Sequence, residues 1–120
     1  MTYYKILLFM KRRAGMSVAD FRAYYETQHV PLCAKYGGAS VRYMRRYLEP
    51  QPHAESGTCD ELPYDVITEL WFDNEAAWKG TVRYLSQSVM PAEVVADELN
   101  LFDRATMRMA TVVECEGVGV

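Results

Sequence analysis

The stretch YYETQHVPL, residues 24–32, sets a histidine inside an amphipathic helical run and a proline two residues after it. An imidazole titrates near neutral pH, so His29 can give or take a proton there. Pro31 brings no N–H and removes the hydrogen bond to the preceding turn, which gives that turn a defined irregularity. Two roles are open to His29: a group turned into a cavity between helix and sheet, or a donor to a carbonyl that Pro31 leaves free. Tyr25 stands four residues earlier, close on the same helical face. There a phenol and an imidazole could meet one substrate oxygen, or the ring could fill the core.

Further residues carry chemical groups worth weighing. Glu69 and Trp71 share one face of an apolar strand by its period of two. A carboxylate in that setting is costly unless paired, so Glu69 faces solvent, meets Arg45 or Arg108, or orients His29. Tyr43, Arg45 and Tyr47 likewise share a strand face, where an arginine among tyrosines could steady an enolate, phenolate or carboxylate. If that face lies outside, the same residues decorate an edge. Trp71, Phe72 and Trp78 supply aromatic area for a hydrophobic ring or for the core. His29 and Cys33 have the i, i+4 spacing of two metal ligands, but no second ligand pair accompanies them and no metal is expected. Gly-x-Gly-x-x-Gly, phosphate-loop and Gly-x-Ser-x-Gly patterns are absent, which leaves nucleotide binding and serine hydrolysis unsupported.

These groups need elements to position them. Residues 3–12, YYKILLFMKR, form an apolar run bounded by Ala14-Gly15 and read as a buried strand. Ser17, with Asp20 three residues later, predicts a helix start, and Gly37-Gly38 predicts its end through a left-handed glycine. Residues 40–49 alternate and read as a second strand. The proline-rich segment 50–63 is a long loop, a lid or a partner contact. A third strand covers 64–72, Asp73 is placed to cap a helix through NEAAWKGTVRYL, and Pro91 opens another. Residues 104–115 read as the fourth strand.

The 120 residues suffice for one domain, 1–120, with one core. A hydrophobic fraction of 50% with 24% charge suits a soluble globular chain, and no run nears the roughly 18–20 apolar residues that span a bilayer. The apolar part of the N-terminus precedes its basic part, the reverse of a signal peptide, so the cytoplasm is expected. Cys33, Cys59 and Cys115 are odd in number and predict free, structural thiols. A net charge of −3 argues against general nucleic-acid affinity.

The order β-α-β-β-α-(α)-β is that of the α+β, ferredoxin-like split βαβ arrangement with a four-stranded antiparallel sheet. Helices can cover one sheet face. The strands carry apolar residues at both parities, for example Ile6 and Leu8 against Leu7 and Phe9, so the other face needs a partner. A symmetric homodimer would bury it on both copies.

The strand KILLFMKRRAGMS, the helix DFRAYYETQHVPL with its His-x-Pro-Leu ending, and the later ELWFDNEAAW together resemble EthD-type members of the dimeric α+β barrel superfamily. The resemblance covers most of the chain. It implies two sheets joined in a barrel with helices outside and, in each protomer, a cavity between sheet and helices. Relatives on that scaffold include cofactor-free monooxygenases of aromatic polyketides, polyketide cyclases, muconolactone isomerases, EthD-like dehydratases and decarboxylases, and haem-binding branches for which His29 could serve as axial ligand. Fold alone does not choose among them. The expectation is a cofactor-independent acid/base enzyme acting on a small hydrophobic cyclic or aromatic compound by dehydration, decarboxylation or isomerisation. His29 would be its base or acid, Tyr25 the proton partner, Glu69 the orienter, Tyr43 and Arg45 the stabilisers of negative charge, and Trp71 and Trp78 substrate contacts. The alternatives are a cofactor-free monooxygenase of a phenolic substrate and a non-catalytic accessory protein of an oxidising system.

Overall fold

The computed structural model describes residues 2–57 and 60–120. Cys59, expected as a free thiol, lies outside the described residues. The chain runs as β1 (Tyr4–Met10), a helical stretch, β2 (Arg42–Tyr47), β3 (Val66–Phe72), two helices and β4 (Arg108–Thr111). The four strands form one antiparallel sheet in the order β2-β3-β1-β4. This is the expected α+β ferredoxin-like arrangement.

The helical stretch departs from a regular helix where Pro31 demands it. It consists of α1 (Val18–Tyr24), a π-helical turn over Tyr25–His29 and α2 (Val30–Ala34). Ser17 caps α1 by accepting from the Asp20 N–H at 3.1 Å. Pro31 sits in the first turn of α2, and the N–H of Val30 bonds to the carbonyl of Tyr25, five residues back. Lacking an N–H and crowding the carbonyl four residues before it, proline favours this widened turn. The stretch ends without the expected left-handed glycine, because positive φ occurs only at Gly15 and Gly57 among the described residues. Carbonyls of Leu32, Cys33 and Ala34 are instead satisfied by the N–H groups of Lys35, Tyr36 and Gly37 in a tightened last turn.

Two more local expectations are corrected. α3 (Glu75–Gln87) is capped by Asn74, whose side chain accepts from the Ala77 N–H at 2.9 Å, and not by Asp73. The fourth strand is shorter than 104–115: Arg104–Thr106 form a 3₁₀ turn, and only Arg108–Thr111 pair with β1. Beyond it, Glu114 reaches back to Lys5 at 2.9 Å. α4 (Ala92–Leu99) begins one residue after Pro91, which stands at its N-cap and not in its first turn.

Register decides which side chains share a face. Ile6, Leu70 and Tyr43 stand in one row, Leu8, Thr68 and Arg45 in the next, and Met10, Val66 and Tyr47 in a third. This face packs under the helices: Met10, Val66, Phe21, Tyr25, Leu101 and Phe102 form the buried core. Each large apolar side chain fully removed from water contributes about 1.5–3 kcal/mol. The opposite face carries Leu7, Phe9 and Ile67, all half-buried, beside Glu69 and Trp71.

The loop after β2 closes a small turn between His53 and Gly57, and its Glu61 pairs with Lys11 and Arg12 at the end of β1. No described residue of this loop lines the main cavity, so its contacts do not make it a lid over that space.

Candidate functional site

A cleft of about 880 Å³, open on one side, lies between the covered sheet face and the helices. That volume is in the range of small-molecule sites. Its floor includes Leu8, Leu70, Phe72 and Met109, and α3 supplies a wall of small residues at Ala77, Gly80 and Thr81. Its polar lining includes Tyr25 and His29 of the π-turn and Cys33 of the next turn, with Glu98, Arg104 and Arg108 from the C-terminal elements.

His29 is 3% exposed and holds partners at both ring nitrogens. Nδ1 lies 2.8 Å from Oδ2 of Asp97, on α4. A carboxylate only accepts, so Nδ1 carries a hydrogen, and in the neutral imidazole Nε2 is then the acceptor. Nε2 lies 3.3 Å from Cys33 Sγ, whose S–H can donate to it. The ring is fixed further by the edges and faces of Tyr25 and Phe102, with centroids 5.3 and 5.4 Å away. The other oxygen of Asp97 accepts from Tyr24 at 2.5 Å. Axial ligation of a haem by Nε2 would require displacing the thiol, so the residues do not fit that role as arranged.

A second set of hydrogen bonds lines the cleft. Tyr43, whose phenol acts to lower the nearby Cys33 thiol against burial, stands 3.1 Å from Tyr25, oxygen to oxygen. Tyr25 in turn meets Thr68 Oγ1 at 2.5 Å. Asp97–His29–Cys33 and Tyr43–Tyr25–Thr68 therefore form two hydrogen-bonded groups, and all of these residues except Asp97 line the cleft. Burial pushes the Tyr25 phenol up to about 12 and raises that of Tyr43 well above the usual range. Both are neutral hydrogen-bonding phenols near neutral pH. Burial also pushes the Cys33 thiol up to about 11, and the same cause raises the Glu98 carboxyl against the pull of Arg104.

The structure brings together only part of the expected site. His29, Tyr25 and Tyr43 line the cleft. Tyr25 does not bond His29 directly: its hydroxyl points to the sheet, and the two rings meet edge to face. Glu69 cannot orient His29, because it lies on the opposite sheet face, bonded to Arg46 at 2.7 Å and to the Trp71 indole at 2.8 Å. Asp97 takes the place assigned to it. Arg45 shares the Tyr43 face, but its guanidinium turns to Glu26, at 2.6 Å, and to the Tyr43 carbonyl, and it does not border the cleft. Its charge is therefore already balanced. Trp71 is on the far face against Tyr3 and Lys5, and Trp78 donates to the Lys5 carbonyl at 3.0 Å beside Tyr4. Neither lines the cleft, whose aromatic surface comes from Tyr25, Tyr36, Tyr43, Phe72 and Tyr84.

Asp97 and Cys33 are the residues that sequence reasoning missed. Cys33 is engaged by His29 and not a bystander. A signal existed in the i, i+4 spacing of His29 and Cys33, and in Glu98 standing four residues after Val94 on the buried stripe of α4, with Asp97 beside it. No group of three or more potential metal ligands occurs among the described residues.

A ferredoxin-like α+β domain with an apolar cleft between sheet and helices, bordered by an imidazole that a carboxylate holds, defines the class of protein. The EthD domain profile matches residues 13–105, and the chain belongs to that family. Among solved structures, an EthD-like protein from Ralstonia eutropha JMP134 is similar at 17% identity, with a TM-score of 0.52 over 93% of this chain and 87% of that one. An ethyl tert-butyl ether D (EthD) family protein from Bacillus halodurans C-125 is similar at 14% identity, with a TM-score of 0.55 over 95% of this chain and all of that one. No curated protein matches. Among the described residues no helix is long and apolar enough to cross a membrane.

Proposed function

We propose that the chain is a cofactor-independent acid/base enzyme that moves a proton on a small hydrophobic cyclic or aromatic compound, in a dehydration, decarboxylation or isomerisation. The observation that carries this reading is the His29–Asp97 pair, 2.8 Å apart, at the wall of an open cleft. A carboxylate that holds Nδ1–H fixes the tautomer and stabilises the imidazolium formed when Nε2 takes a proton, which requires the Cys33 thiol to turn off Nε2 or to relay the proton. The apolar floor suits a ring, and the neutral phenols of Tyr25 and Tyr43 can donate to an oxygen on which charge develops. An accessory protein with a cavity filled by side chains is less favoured, because the cleft is open and has polar groups in its lining.

The reading includes a homodimer joined through the sheet face that carries Leu7, Phe9 and Ile67. It also includes the cytoplasm, where Cys33 and Cys115 would stay free thiols. The test is a screen of cyclic β-hydroxy ketones and phenolic ketones under air and under nitrogen. Turnover that continues under nitrogen supports a lyase or isomerase. Turnover that stops, with oxygen consumed under air, replaces it with a cofactor-free monooxygenase.

A further inference from the structure

Cys33 and the His29 imidazole both border the cleft. The cysteine sulfur lies 3.3 Å from Nε2, and Cys33 is more exposed than the nearly closed His29 ring. The Tyr43 phenol lines the cleft as well and favours the thiolate against the effect of burial. A thiol with a base on one side, a carboxylate behind that base and a phenol on the other has the parts of nucleophilic catalysis.

We infer that Cys33 is a nucleophile, activated by His29 and Asp97, that adds reversibly to α,β-unsaturated cyclic carbonyl compounds in the cleft. This deepens the acid/base reading and rests on the same His29–Asp97 pair. The class of electrophile follows from the surroundings. Dehydration of a cyclic β-hydroxy ketone yields an enone, a soft electrophile matched to sulfur, and its ring suits the apolar floor.

The step balances without an oxidant or reductant. The S–H bond breaks and its proton passes to Nε2 as sulfur bonds to the β-carbon. The π electrons move to the carbonyl oxygen, where Tyr43 can donate a hydrogen bond. Nε2–H then protonates the α-carbon, the enolate returns to a ketone, and a thioether results. The reverse path releases the enone.

The groups around the sulfur decide how it is activated. His29 comes from the π-turn, Asp97 and Glu98 from α4, and Tyr43 from β2, with Tyr25 and Thr68 behind Tyr43. Arg104 balances Glu98 at 3.1 Å, and Arg45 is held by Glu26. Burial and the two carboxylates of α4 keep the resting thiol neutral, pushed up to about 11. Removal of its proton near pH 7 thus depends on His29 acting in the same step.

Alkylation of the full chain by iodoacetamide and by 2-cyclohexenone, with modified cysteines mapped by peptide mass spectrometry, tests this directly. Exposed Cys115 is the internal reference. The expected result is labelling of Cys33 by both reagents at pH 7.5, saturating with cyclohexenone concentration, while Cys115 responds linearly. His29→Gln should slow Cys33 labelling by about tenfold or more, and the difference should close as pH approaches the thiol's own raised value. Asp97→Asn, which keeps the side-chain shape, should slow it in the same direction if His29→Gln fails to fold. Equal labelling in wild type and variants at neutral pH, or no labelling until strongly alkaline pH, overturns the inference. Labelling is read without turnover, so failure here leaves the acid/base reading standing, and absence of turnover in the substrate screen leaves the labelling result standing.

Discussion

Nδ1 of His29 lies 2.8 Å from Oδ2 of Asp97, joining the π-turn to α4 beside the cleft. Both side chains are largely removed from solvent, at 4% and 14% exposure, so the pair is screened far less than a surface ion pair. Asp97→Asn can still accept at Nδ1–H but loses the charge that stabilises imidazolium. Turnover should fall by roughly 10²-fold or more, with a small change in thermal midpoint. Steady-state kinetics beside a melting curve separate the two effects.

Pro31 is the sequence origin of the π-turn. Pro31→Ala restores an N–H and lets the helix regularise, which rotates His29 relative to α4. Unfolding stability should stay the same or rise slightly, while turnover falls by about tenfold or more. An unchanged rate would mean that the π-turn does not set the site's geometry.

Tyr25→Phe removes the hydroxyl that links Thr68 and Tyr43. Thr68 is 2% exposed and would lose its partner in a dry setting. Urea unfolding should report a loss of about 1–3 kcal/mol. A loss near zero would mean that water or a rotated Tyr43 replaces the bond.

Glu69 has no part in the cleft and a calculable part in stability. Burial would push its carboxyl up, but hydrogen bonds from Arg46 and the Trp71 indole outweigh it and hold the carboxyl below the usual range. A folded-state value below the unfolded one gives stability that is present above about pH 4.3 and lost as pH falls through the folded value. Arg46 is half exposed, so solvent screening keeps the term small, about 1 kcal/mol. Glu69→Gln should therefore cost about that much at pH 7 and nothing below the folded value, by urea titration at several pH values. Its turnover should equal that of the wild type, which a role in orienting His29 would not allow.

The sheet face bearing Leu7, Phe9 and Ile67 supports a test of assembly. Ile67→Glu places a charge among these apolar side chains. Light scattering should find the wild type as a dimer and the variant as a monomer; a monomeric wild type would remove this face as an interface.

The strand and helix order was legible because periodicity and caps are local: Ser17 binds the Asp20 N–H, and Pro91 marks the start of α4 to within one residue. The irregular turn was legible from Pro31. Pairings across elements were not. Parity correctly grouped Glu69 with Trp71, and Tyr43 with Arg45, but with apolar residues at both parities it could not say which group faces the helices. Asp97 escaped notice because an acidic residue in AEVVADEL reads as a solvated helix face until the helix is docked. Arg45 is expected to steady substrate charge or to meet Glu69, whereas tertiary packing brings it to Glu26, nineteen residues earlier.

The central claim is that His29 moves protons on a compound held in the cleft. Its most direct test is deuterium incorporation from D₂O into the α-positions of cyclic β-hydroxy ketones and phenolic ketones, followed by proton NMR with wild type and His29→Ala. Exchange is expected on at least one compound with the wild type, reduced by about 10²-fold or more in His29→Ala at unchanged oligomeric state. Equal exchange by the two proteins, or none above buffer across the panel, would contradict it.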